Sequence, residues 1–286
     1  TKAAASGTRL NEVFAISASL KDEAEQEIQT VSSDSRVTFS NVSFSYAHSS
    51  APALSDISFS AKKGEVIGII GGTGSGKSTL VNLIPRFYDA SSGTVEVDGH
   101  PVGRYPLQQL RNKIGVVPQR AVLFQGTIQE NMRWGKEDAS KEEIYQALDT
   151  AQAREFVEKK EGKLEAKVSQ GGRNLSGGQR QRLTIARALV RSPEILILDD
   201  SASALDYATD AALRRSLSEQ SKKKGQEMTV FLVSQRAASI KQADQILVLD
   251  EGRLVGAGTH KELLERCPIY KEICLSQLSE KEVSAV

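Results

Sequence analysis

Cysteine and histidine are scarce in this sequence. Cys267 and Cys274 are the only cysteines, and three His residues are scattered along 286 positions. Neither cysteine belongs to a close-set pair, so the two read as unpaired thiols in a terminal helix. No zinc ligand cluster can be assembled by spacing. Long apolar runs are also missing. Nothing approaches the roughly 20 residues needed to cross a bilayer, and Thr1 to Gly7 lacks the apolar segment of a signal peptide. Charge of one sign is not in excess. The formal net charge is +1, which gives no reason to expect a nucleic acid partner. Lys222 to Lys224 is a short basic block that reads as a solvated helix end. No sustained heptad pattern marks a coiled coil. The chain begins at Thr1 rather than Met, as a fragment or a processed chain would.

What is present is an ordinary globular composition, 39% hydrophobic and 26% charged, enough for one large domain or two modest ones. Residues 1–35 do not read as core. Arg9 to Phe14 suggests the end of a helix with Leu10, Val13 and Phe14 along one side. Lys21 to Glu27 is charge-rich and Thr30 to Ser35 is polar, so the leader is either a solvated tail or a tether. Strand character starts at Arg36. Val37 and Phe39 alternate, then Val42, Phe44 and Tyr46 alternate after a phase change near Asn41. Lys63-Gly64-Glu65 marks a turn. Val66 to Ile70 is a short apolar run typical of a buried parallel strand. Residues about 104 to 190 carry mostly helical patterns, with a capping box at Ser140 and Glu143 and a helix over Arg180 to Arg191 stopped by Pro193. Strands return at Ile195 to Leu198, Thr229 to Val233 and Ile246 to Leu249. The helix between the first two carries Ala208, Ala211 or Ala212, and Leu217 as apolar positions. Thr259 with Glu262 caps a last helix. The order predicts an α/β core interrupted by a helical insertion.

The stretch Gly71-Gly72-Thr73-Gly74-Ser75-Gly76-Lys77-Ser78-Thr79 fits a phosphate-binding loop, with an apolar strand before it and a helix after it. Glycines let backbone N–H groups turn inward around phosphates, and the helix N-terminus adds its dipole. Lys77 is expected to reach the β- and γ-phosphates of ATP, and Ser78 to hold Mg²⁺. Asp199 ends the strand Ile195 to Leu198, where a carboxylate would face Ser78 and bind the same metal. Tyr46 either stacks on the adenine or is an edge-strand aromatic of the core. Leu175-Ser176-Gly177-Gly178-Gln179 is a second glycine pocket ahead of a helix. It cannot serve phosphates already covered by Lys77. That geometry invites a second molecule, each Leu175 to Gln179 capping the nucleotide held by the other.

With those motifs the chain resembles the nucleotide-binding domain of an ATP-binding cassette exporter, from about Arg36 to about Tyr270. Gly71 to Thr79 is similar to the Walker A motif, Ile195 to Asp199 to the Walker B strand, and Leu175 to Gln179 to the ABC signature. Gln119 matches the Q-loop glutamine, which in the family senses Mg²⁺ and the γ-phosphate. Ser203-Ala204-Leu205-Asp206 matches the D-loop. Val122 to Asn131 resembles the segment that touches the membrane domain, and Thr8 to Phe14 the tail after the last transmembrane helix. The resemblance implies a P-loop NTPase core of RecA-like α/β type with an antiparallel β subdomain and an inserted α-helical subdomain. It implies a linker at 1–35, the nucleotide-binding domain at 36–275 and a tail at 276–286. It also implies Mg²⁺ and ATP as cofactors, a second nucleotide-binding domain and transmembrane coupling helices as partners, and a place at the cytoplasmic face of the cell membrane.

Two catalytic positions depart from the family. Asp200 stands where the family has glutamate, and Gln235 where it has the switch histidine. Asp is one methylene shorter than Glu, and general-base catalysis requires hydrogen-bond reach of about 2.6–3.2 Å. Gln cannot titrate. A drifted but active enzyme remains one reading. The other is a degenerate site in a heterodimer, where an intact signature completes the partner's competent site. Further alternatives are an active homodimer, a non-transport ATPase of the same superfamily, and a purely regulatory module.

Overall fold

The computed structural model describes residues 2–15, 20, 22, 28, 33–47, 49, 51–201, 204–223, 225 and 227–277. Its elements run α1 (Lys2–Phe14), β1 (Ser35–Phe44), β2 (Leu54–Lys62), β3 (Val66–Gly71), α2 (Lys77–Leu83), β4 (Ser92–Val97), β5 (His100–Pro101), α3 (Leu107–Asn112), β6 (Ile114–Val117), β7 (Gly126–Thr127) and α4 (Ile128–Arg133). Then come α5 (Lys141–Thr150), α6 (Arg154–Glu158), β8 (Lys167–Val168), α7 (Gly177–Leu189), β9 (Ile195–Asp199), α8 (Tyr207–Ser221), β10 (Thr229–Val233), α9 (Ala237–Ile240), β11 (Gln245–Asp250), β12 (Arg253–Gly258), α10 (His260–Arg266) and α11 (Pro268–Gln277).

Six strands form one sheet in the order β12-β11-β3-β10-β9-β6, parallel except for β12. Four more form an antiparallel sheet, β2-β1-β4-β5. Side chains alternate across the parallel strands, because successive Cβ atoms point to opposite faces. Ile67, Ile69, Ile197, Phe231, Val233, Leu247 and Leu249 join a core shared with β1, β2, β4 and α2. Ile70, Leu196, Leu198, Val230, Leu232, Ile246 and Val248 face a second core built with α4, α5, α7, α8, α10 and α11. This is a RecA-like α/β core with a mixed sheet and helical additions.

The phase change near Asn41 is a β-bulge. Phe39 pairs with Phe59, but Val42 pairs with Ile57, and Asn41 between them has φ 51°. Both apolar pairs, Val37 with Phe39 and Val42 with Phe44, are buried as a result.

Four readings need correction. Ile114–Val117, inside the stretch read as mostly helical, is β6, hydrogen-bonded along β9. A run of four apolar or glycine residues has no periodicity to separate strand from helix, and the sheet decides. The helix read from Arg180 starts at Gly177, because Ser176 accepts from the Gln179 N–H and the Gln179 side chain accepts from the Ser176 N–H. In α8 the buried face is Asp210, Leu213 and Leu217, while Ala208 and Ala211 are exposed. The helix capped by Thr259 is followed by another, α11, which supplies buried Tyr270 and Cys274. Cys267 and Cys274 are both free and buried.

Part of the leader touches the core. The Ile28 N–H donates to Gln109 Oε1 at 3.0 Å, Gln109 Nε2 donates back to Ile28 O at 2.9 Å, and the Ile28 side chain packs on the β1–β2 core. Leu10, Val13 and Phe14 are exposed along α1. Among the described residues, no helix is long and apolar enough to cross a membrane.

Candidate functional site

The parallel strands β3, β9 and β10 end at one edge. Val233 pairs with Asp199 on one side and with Ile69 on the other. Open α/β sheets bind ligands outside these carboxyl ends. A cavity of about 380 Å³ lies there, lined by Tyr46, Gly74, Lys77, Ser78, Gln119, Asp199, Asp200 and Gln235, with Ala53, Thr73, Gly76, Thr79 and Val233. Residues spread from 46 to 235 in sequence are thus brought together. Ala53 and Val233 were not read from the sequence as site residues, since neither carries chemistry that marks it.

The loop between β3 and α2 holds its shape through glycine. Gly74 and Gly76 have φ 82° and 95°, which side-chain-bearing residues rarely adopt. A Cβ at Gly71 would sit 2.1 Å from Leu249 O, and one at Gly76 2.8 Å from Ala53 O. A Cβ at Gly72 or Gly74 would instead meet no protein atom within 4 Å, so those two border open space. Lys77 Nζ donates to Gly71 O at 2.9 Å, Gly72 O at 2.6 Å and Ser75 Oγ at 3.3 Å. Burial lowers the Lys77 pKa, against the upward pull of Asp200 and Asp199.

Ser78 Oγ donates to Asp199 Oδ1 at 3.0 Å. Burial raises the Asp199 pKa and Asp200 adds to the rise, while Ser78 and Lys77 oppose it. Asp200 follows with φ 45°, its N–H on Val233 O at 3.0 Å, and its Oδ2 accepts from Gln119 Nε2 at 3.3 Å. Tyr46 is 39% exposed. Its hydroxyl lies 2.9 Å from Thr79 Oγ1, and its ring meets Phe44 and Tyr88 edge-on at 4.8 and 5.3 Å.

The donor set fits a magnesium-bound nucleoside triphosphate. Hydroxyl and carboxylate oxygens of Ser78 and Asp199 suit a hard cation. The open flank at Gly72 and Gly74 gives the backbone close approach to phosphate. Ser78 and Asp199 would hold the metal, Lys77 would meet the phosphates, and the metal would neutralise charge on them.

The family model described as ABC transporter matches residues 54–203. This chain belongs to the ABC transporter family. It is 46% identical over 277 residues to YfiB of Bacillus subtilis, an uncharacterized ABC transporter ATP-binding protein, covering 97% of this chain and 47% of that one. It is 41% identical over 247 residues to an ATP-dependent lipid A-core flippase of Chromobacterium violaceum, covering 86% of this chain and 42% of the relative. A bacterial Atm1-family ABC exporter solved with ATP bound superposes with a TM-score of 0.88 at 33% identity, over 98% of this chain and 47% of that one. The chain therefore spans about half the length of the relatives it matches.

As an ABC ATPase domain, the chain separates its motifs. Leu175, Ser176, Gly177, Gly178 and Gln179 do not line the nucleotide cavity. Gly177 lines a second cavity with Arg120, Arg173 and Arg180, and Gln119 borders both. Ser176 and Gly177 are exposed, while Leu175 is buried. Ser203 lies outside the described residues. Ala204 is exposed, Leu205 is buried, and Asp206 caps α8 by accepting from the Thr209 N–H at 2.9 Å. Ala204 O would lie 3.3 Å from a Cβ on Gly178, so signature and D-loop backbones approach closely. In the segment Val122 to Asn131, buried Asn131 clamps the Phe124 backbone through both its N–H and its carbonyl at 2.9 Å. Phe124 itself is 45% exposed beside Trp134.

Proposed function

We propose that this chain is the nucleotide-binding portion of an ABC exporter subunit whose own site binds Mg-ATP and hydrolyses it slowly. Its signature completes the site of a different partner chain, one with glutamate and histidine at the positions of Asp200 and Gln235. ATP-driven pairing of the two domains moves coupling helices of the transmembrane domain at the cytoplasmic face of the membrane. The boundaries proposed are a linker at 1–35, the ATPase domain at 36–275 with the helical subdomain inserted at about 104–190, and a tail at 276–286. No nucleic acid is involved.

The observation that carries this reading is that Asp200 and Gln235 line the same cavity as the Ser78–Asp199 pair. The positions that would activate water therefore hold a short carboxylate and a neutral amide. The exposure of Ser176 and Gly177, away from the chain's own cavity, supports their use on another molecule. The resemblance to an exporter solved with ATP supports the class.

The test is steady-state phosphate release by wild type, Asp200→Glu and Asp200→Glu/Gln235→His at high protein concentration. Turnover should be slow in wild type and should rise more in the double variant than in the single one. Both side chains act on one water and one phosphate, so the gains should not simply add. Robust wild-type turnover that Lys77→Ala abolishes refutes the degenerate site and supports an active homodimer.

A further inference from the structure

Gln235 belongs to the segment that leaves β10 for α9. Upstream, the Ser234 N–H donates to Ile69 O at 3.0 Å, tying the segment to β3. Downstream, α8 grips α9. Arg214 donates to Ala238 O at 3.1 Å, and Ser239 donates to Asp210 at 3.1 Å. The α9 N-cap, Arg236, makes no side-chain cap bond. That place is taken by Gln277, at the end of α11. Its Nε2 donates to Gln235 O at 2.8 Å and its Oε1 accepts from the Ala237 N–H at 2.9 Å. One side-chain amide thus bridges the backbone on both sides of Arg236. The helix that carries it is itself seated by buried Tyr270, whose hydroxyl is 2.7 Å from His260 Nδ1, and by buried Cys274.

We propose that Gln277 is a positioning residue of the nucleotide site. It fixes the Gln235 backbone so that the Gln235 side chain, on the cavity wall, meets the terminal phosphate of a bound nucleoside triphosphate. The last turn of α11 then takes part in telling a triphosphate from a diphosphate. This rests on the reading of Gln235 as the switch position.

The experiment measures Mg-ATP and Mg-ADP affinity by calorimetry, and the thermal midpoint, for wild type, Gln235→Ala, Gln277→Ala and Gln277→Glu. A glutamate keeps the acceptor for the Ala237 N–H but loses the donor to Gln235. Gln277→Ala should weaken Mg-ATP about three- to tenfold, the range expected for lost exposed hydrogen bonds, and leave Mg-ADP unchanged. Gln277→Glu should likewise weaken Mg-ATP and leave Mg-ADP unchanged, whereas a purely structural role would weaken both. Agreement between the uncharged and charged variants excludes a field effect of the added carboxylate. A wild-type ATP-to-ADP ratio in both Gln277 variants, with the ratio lost in Gln235→Ala, overturns the inference. So does equal weakening of both nucleotides together with a lowered midpoint. A wild-type ratio in Gln235→Ala is a different result, which refutes the switch reading and the inference with it.

Discussion

Replacing Gly177 by Asp should leave this chain intact and cripple the assembly it serves. Gly177 is the first residue of α7 and exposed, and a Cβ there meets no atom within 4 Å. An acidic residue in a first turn opposes the helix dipole favourably, and glycine is a poor helix former. The substitution should therefore stabilise the isolated chain by about 0.5–1 kcal/mol. For a chain of this size that raises the thermal midpoint by about 1–4 °C. Mg-ATP binding by the chain alone should be unchanged, because Gly177 does not line its nucleotide cavity. In the proposed paired state the new carboxylate would face the partner's phosphates. At a separation of about 5 Å and an effective dielectric of about 20, one pair of like charges repels by ~3 kcal/mol. That is over a hundredfold at about 1.4 kcal/mol per factor of ten. Scanning fluorimetry and calorimetry on the chain, and ATPase on the reconstituted pair, separate these effects. Lost ATP binding by the isolated variant refutes the assignment in trans. So does undiminished ATPase by the pair.

Asp199→Asn should raise the apo thermal midpoint at pH 7 and abolish the advantage of Mg-ATP over metal-free ATP. The sign follows from the raised folded-state pKa. The charged Asp199 costs stability above that pKa, and the cost vanishes as pH falls through it, so the midpoint gain should shrink in acid. Tyr46→Ala should weaken ATP, ADP and GTP together by about 1–3 kcal/mol if the ring stacks on the base. Tyr46→Phe keeps the ring and loses only the contact with Thr79, so its affinity for all three should stay close to wild type. Unchanged affinity in Tyr46→Ala with an intact fold assigns the ring to the aromatic cluster with Phe44 and Tyr88.

The phosphate loop and the strands around it were legible because local chemistry decides them. Continuous apolar runs bounded by turns become buried parallel strands, and a glycine-rich loop between strand and helix has few other uses. The bulge at Asn41 was legible as a phase change, because a side-chain period of two slips when one residue is added. Contacts between distant segments left no local mark. β6 is only four residues long and lies beside a helix. The buried face of α8 includes Asp210, paired to Arg214 at 3.2 Å, so a search for apolar residues chose the alanines instead. Gln277 looks like any exposed glutamine near a chain end. Its meaning lies entirely in the two backbone atoms it meets.

On the proposed reading, the perturbed charges at the site favour Mg-ATP binding whatever the rate of hydrolysis. Lys77 and Asp199 are both pushed toward their neutral forms by burial. Bringing phosphate to Lys77 and a divalent cation to Asp199 favours the charged form of each, so both perturbations are relieved on binding. None of that relief requires a group that activates water. Asp200 and Gln235 line the same cavity. Asp200 already accepts from Gln119, and its backbone is turned into the left-handed region. The charge relief at Lys77 and Asp199 is therefore separate from water activation at Asp200. On the proposed reading, a site that hydrolyses slowly would still gain affinity from this relief, and could hold two domains together while a partner site turns over.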